Sequence, residues 1–147
     1  MFKENVKALG TLSIQKNNVE VFYADNLVVG TGLAFIANKM LDGNTTAVMT
    51  HMALGTGTTA AVTSDTTLET ENGRVSLDSA ANVNTNVTGD SVQFVATFPA
   101  GTCTGALTEA GLFNDATAGA MLSRTNFAVV NKSELDSIAV TWKIVIV

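Results

Sequence analysis

The chain has 147 residues, of which 46% are apolar and 14% charged, so it is too apolar for a disordered polymer. No apolar run reaches the ~20 residues of a membrane-spanning helix. The net charge of −5, with eight Lys and Arg scattered from Lys3 to Lys143, offers no basic stripe to displace counterions from a nucleic acid. These features predict one soluble domain over residues 1–147, without nucleic-acid or membrane partners.

The opening MFKENVKALG has no long apolar core or small-residue cleavage site, so no signal peptide is expected and the chain should fold in a cytoplasm. Cys103 is alone, which excludes an intramolecular disulfide and predicts a small buried hydrophobe. Asn-x-Ser/Thr triplets at Asn44, Asn86 and Asn131 carry no weight without a secretory signal.

In chain order, TLSIQKNNVEVFYA (residues 11–24) predicts two short strands around Asn17-Asn18, because Asn tolerates the left-handed backbone of a tight hairpin. Leu12 and Ile14 should share a face with Val19 or its neighbours. Residues 31–41 predict a short helix, with Leu33, Ile36, Ala37, Met40 and Leu41 on one face, Thr31 as N-cap and Gly43 as stop. A buried strand follows from Val48 to Leu54. Thr63 to Glu71 reads as a loop with one helical turn, since Thr66 and Glu69 have capping-box spacing.

Alternation then predicts strands at Arg74–Ser79, Val83–Val87 and Ser91–Phe98, the last with Val92, Phe94, Ala96 and Phe98 on one side and Pro99 as its end. The clearest strand is SIAVTWKIVIV, in which Ile138, Val140, Trp142, Ile144 and Ile146 form a core face. Its other face, Ala139, Thr141, Lys143, Val145 and Val147, is less polar than a free surface demands and should be covered or packed on a neighbouring subunit. The fold expected is mainly β: an antiparallel β-sandwich with one short helix, and with residues 1–25 as an N-terminal hairpin or assembly arm.

The stretch HMALGTGTTA (residues 51–60) resembles a phosphate-cradling loop at first sight. A Walker loop needs a Lys and a following Ser or Thr, and a dinucleotide fingerprint needs a third glycine and an immediate helix; neither is present. A structural turn is the better reading, with Gly55 and Gly57 letting a long connection leave the sheet. His51 is the only histidine, and nothing in the sequence ties it to Cys103 or a serine as a catalytic pair. One His and one Cys do not make a closed zinc site.

The carboxylates Asp65, Glu69, Glu71, Asp78, Asp90, Glu109, Asp115, Glu134 and Asp136 read as solvated loop groups. No catalytic, cofactor-binding or metal residue is therefore predicted, and no cofactor. One charged pair suggests a structural brace, Glu109 with Arg74 through a bidentate bond.

Taken in order, HMALGTGTTA, SDTTLETENGRV, TFPAGTCTGALTEAGLFND, GAMLSRTNFAVVNK and DSIAVTWKIVIV resemble a family of small tailed-phage virion structural proteins. The pattern is also similar to the N-terminal domain of phage tail-collar fibre proteins, over about residues 26–147. The matching positions are Met52, Ala53, Gly55, Gly57, Leu68, Arg74, Glu109, Gly111, Leu112, Phe113, Gly119 and Leu122. The resemblance implies a β-rich, non-catalytic module that attaches to a virion and self-associates.

The expected function is accordingly a non-enzymatic virion protein on the tail, neck or fibre base. Its partners would be further copies of itself, as a trimer or hexamer, and tail, neck, portal or major capsid proteins. A capsid decoration (cement) protein is the alternative, and a module that binds or hydrolyses host-surface glycans is a third reading from another class.

Overall fold

In the computed structural model, which describes residues 5–41 and 43–147, β1 (Ala8–Lys16) and β2 (Val19–Val28) form the expected hairpin. Asn17 and Asn18 both have positive φ, 50° and 67°, the turn geometry whose twist matches that of the flanking strands. The turn is tied down by Asp136, which accepts from the Asn17 amide at 2.8 Å and pairs with Lys16 at 3.1 Å. Leu12 and Ile14 lie opposite Ala24 and Phe22. A register shift after Ile14 leaves Val19 exposed, so Phe22 joins their face instead.

The remaining elements are α1 (Gly30–Asn38), β3 (His51–Gly55), β4 (Glu71–Ser76), β5 (Ser79–Val83), β6 (Ser91–Phe98), β7 (Gly105–Phe113), β8 (Met121–Lys132) and β9 (Ile138–Ile146). Among the described residues all strand pairs are antiparallel, in the order β4-β3-β7-β8-β2-β1-β9-β6-β5. The sheet curls at β2, where only Leu27 and Val28 continue the pairing onto Arg124 and Ser123 of β8. Leu77 and Asp78 then carry the chain from β4 at one end of the order to β5 at the other. The result is sandwich-like, one half built on β1, β9 and β6 and the other on β3, β7 and β8.

The core fills the space between the halves. Leu12, Ile14, Phe94, Phe98, Val140 and Trp142 come from one, and Met52, Leu54, Leu107, Leu112, Leu122 and Phe127 from the other. Burying each large side chain contributes about 1.5–3 kcal/mol. β6 and β9 span the residues their alternation predicted, although Ile146, at the end of β9, is exposed. On the other face of β9, Val145 is buried while Ala139, Thr141 and Lys143 are half-buried.

Several boundaries differ from expectation, each for a local reason. The strand expected at Val83–Val87 lies at Ser79–Val83, because the Asp90 carboxylate gathers the N–H groups of Thr85, Asn86 and Val87 into a loop. The strand expected from Arg74 runs from Glu71 to Ser76 and stops where Leu77 turns toward β5. The helix is shorter than 31–41, and its inward residues are Gly32, Phe35 and Ile36. Gly32 decides this: a Cβ there would lie 1.9 Å from the Leu122 carbonyl oxygen, so the ridge containing Gly32 is the one that docks closest.

Of the face expected inside, Ile36 is half-buried while Leu33, Ala37, Met40 and Leu41 are exposed. Val29 is the N-cap without a side-chain bond, and Thr31 instead donates to the Met121 carbonyl. Gly43 has φ +70° but lies beyond the helix end at Asn38. The stretch read as an assembly arm is part of the sheet from Ala8 onward: β1 pairs with both β2 and β9, and Leu12 is fully buried. Residues 1–4 lie outside the described residues.

Candidate functional site

The stretch that opened the functional question lies in the connection between β3 and β4. These strands pair directly, from His51 with Ser76 to Gly55 with Glu71, yet the chain between them, Thr56 to Thr70, folds back as a strap over the outer face of β3, β7 and β8. Leu68 inserts beneath it and completes a second apolar cluster with Val29, Ala53, Phe113 and Met121. The helical turn expected at Thr66–Glu69 is absent. The Glu69 carboxylate reaches back to the Thr59 N–H and hydroxyl, each at 2.8 Å, which holds the strap in an open loop.

Glu109 on β7 is the strap's anchor and is fully buried. Its Oε1 accepts the N–H groups of Gly57 at 2.9 Å and Thr70 at 2.7 Å. Its Oε2 accepts the Glu69 N–H at 3.0 Å and two donors of Arg124, Nε at 3.1 Å and Nη2 at 2.8 Å. Arg124 on β8 stands opposite Gly111, two residues along from Glu109, so the pair meets diagonally across one sheet face. The guanidinium extends the hold to the strap through Asp65 at 2.8 Å and the Thr59 carbonyl at 3.0 Å. Thr108 and Asn126 both donate to the Gly57 carbonyl.

The glycines of HMALGTGTTA owe their place to this anchor. Neither Gly55 nor Gly57 has a positive φ. A Cβ at Gly55 would fall 2.4 Å from the Thr70 oxygen, and one at Gly57 2.5 Å from Glu109 Oε1. Gly111 is similar, because a Cβ there would meet the Phe113 ring at 2.8 Å and Leu68 at 2.9 Å. The glycines thus give room for a carboxylate and a leucine, rather than a turn.

The brace expected between Glu109 and Arg74 is corrected on one partner: Glu109 pairs with Arg124. Arg74 lies on β4, separated from β7 by β3, whereas Arg124 sits on the strand beside β7. Arg74 instead takes Glu71 bidentately at 3.0 and 2.7 Å, donates to the carbonyls of Asp115 and Ala118, and stacks 3.7 Å above the centre of the Phe113 ring. It braces β4 to the β7–β8 loop. Arg74→Ala is expected to lower Tm by about 5 °C, measured by thermal unfolding.

The other candidate groups fall elsewhere. His51 touches the Thr50 hydroxyl at 2.8 Å through Nδ1 and the Ser76 hydroxyl at 3.3 Å through Nε2, so a hydroxyl stands where a hydrolytic triad has its carboxylate. Cys103 is buried above Gly73, with its thiol pushed up to about 11 by burial. Among the described residues no group of three or more His, Cys, Asp or Glu is placed to hold a metal ion. Glu109, read as a solvated loop group, is the most buried carboxylate described. With five donors on its two oxygens it is filled as an acceptor and serves to position the strap.

Sequence reasoning missed Arg124, Thr108 and Asn126. The available signal was the run of four polar residues, Ser123-Arg124-Thr125-Asn126, held between apolar Met121-Leu122 and Phe127. Burial acts to raise the Asp65 pKa, but the Val62 N–H and the Arg124 guanidinium outweigh it and hold the carboxyl below its ordinary value. Burial likewise acts to lower that of Arg124, and Glu109 and Asp65 reverse it. The Thr59 N–H lowers Glu69, the Ser91 hydroxyl lowers Asp90, and the Ser133 N–H lowers Asp136.

Carboxylates held below their unfolded values contribute stability that is complete above the ordinary range and is lost as pH falls through the depressed ones. Tm is therefore expected to be level above about pH 5 and to drop steeply below about pH 4. Melts of the Asp136→Asn variant should show a shallower acid limb.

Comparison with protein-family models, with curated proteins and with solved structures finds no match for this chain.

Proposed function

We propose that the protein is a non-enzymatic structural component of a tailed-phage virion, self-associating and mounted on the tail, neck or fibre base. The observation that carries this reading is where the residues of the resemblance lie. Although they span the chain from Met52 to Leu122, all belong to β3, β4, β7, β8, the strap or the β7–β8 loop. Met52, Leu112 and Leu122 face the core, and Ala53, Leu68 and Phe113 build the second cluster. Gly55, Gly57 and Gly111 make room for Glu109 and Leu68, while Arg74 grips the loop in which Gly119 has φ +76°.

A pattern in which every member shapes one scaffold suits an architectural module better than a reaction site. Exposed apolar side chains on strands, Val19, Val21 and Tyr23 of β2 and Val129 of β8, add surface for self-association.

Labelling intact particles with a gold-tagged antibody tests the reading. Label at the tail, neck or fibre base supports it. Label spread over the head shell favours the decoration role instead, and particles carrying no label contradict both.

A further inference from the structure

A hairpin needs only about two to five residues to join paired strands, and the connection from Thr56 to Thr70 is far longer. Its ends are fixed, since Gly55 and Glu71 are themselves partners in the β3–β4 ladder. The strap can therefore lift without breaking that ladder. Along it only Gly57 and Leu68 are buried, and the rest is half-buried or exposed. Its hold on the sheet is mainly polar and centres on Glu109 and Arg124, with Thr108 and Asn126 donating to the Gly57 carbonyl and the Gly30 N–H to that of Thr63.

Convergence has two consequences. The N–H groups of Gly57, Glu69 and Thr70 share one carboxylate, so they are held or released together. When the strap lifts, water reaches Glu109 and Arg124 while the two keep each other, so no unpaired charge is left in apolar surroundings. A segment with few buried apolar contacts, fixed ends and a common anchor has the attributes of a local unfolding unit.

We propose that Thr56–Thr70 is a latched flap that opens as a unit while the sheets stay folded, with the Glu109–Arg124 pair as its latch. Open, it uncovers Val29, Ala53, Phe113 and Met121 on the outer face of β3, β7 and β8.

Hydrogen exchange of the full chain, read by mass spectrometry at neutral pH with and without low denaturant, tests the flap. Strap amides are expected to exchange faster than those of β1 and β9 and to be insensitive to denaturant. In Glu109→Gln their exchange should rise by at least about tenfold while β1 and β9 are unchanged. Asp65→Asn, which removes one anchor outside the strands, should raise it by a smaller factor and keeps the test open if the first variant does not fold. Strap amides that exchange at the same rate and with the same denaturant dependence as β1 and β9, in wild type and variant alike, would overturn the proposal.

Discussion

Glu109→Ala is expected to destabilise the closed strap by about 3–5 kcal/mol, because it removes at once the buried carboxylate beside Arg124, which keeps Asp65 and the Thr59 carbonyl, and the acceptor of three backbone N–H groups. Arg124→Met should cost less, since Glu109 keeps the N–H groups of Gly57, Glu69 and Thr70. The double variant should be no less stable than Glu109→Ala alone, because Arg124→Met then removes a guanidinium that has lost its buried partner. Denaturant unfolding of the four proteins measures this. Additive losses would mean that the two residues act on different parts of the fold.

Trp142→Ala is expected to cost about 3–5 kcal/mol as well, but from the opposite cause. Trp142 is fully buried on β9 between Leu12 of β1 and Phe94 of β6, in the main core. Its removal leaves a cavity that only global loosening can relieve, so exchange should accelerate across β1, β6 and β9 together. Its indole N–H has no hydrogen-bond partner among the described residues. Trp142→Phe, which removes no hydrogen bond and leaves a smaller cavity, should therefore cost less than the alanine variant. For a domain whose whole stability is about 5–15 kcal/mol, the alanine variant stands near the limit of folding.

These two sites differ in how far the sequence displays them. The environment of Trp142 was legible, because strict alternation along SIAVTWKIVIV requires a strand with one buried face. The hairpin turn was legible for a similar reason, as Asn17-Asn18 is a local signal for a local geometry. The helix face was misread because hydrophobic periodicity favoured Leu33, whereas docking is decided by how near Gly32 brings the backbone to Leu122.

The strap was legible only in outline. Its glycines were recognised as structural, but their reason lies in a carboxylate more than fifty residues away, and no local pattern carries that distance. Glu109 was singled out as one half of a brace. The partner was misassigned because choosing between Arg74 and Arg124 requires knowing which strand lies beside β7.

The functional reading depends on self-association, which light scattering of the purified protein at micromolar concentration measures directly. A mass of three or six copies, independent of dilution, is the predicted result. A single-chain mass across that range, together with no binding to purified tail, portal or capsid proteins, would contradict it.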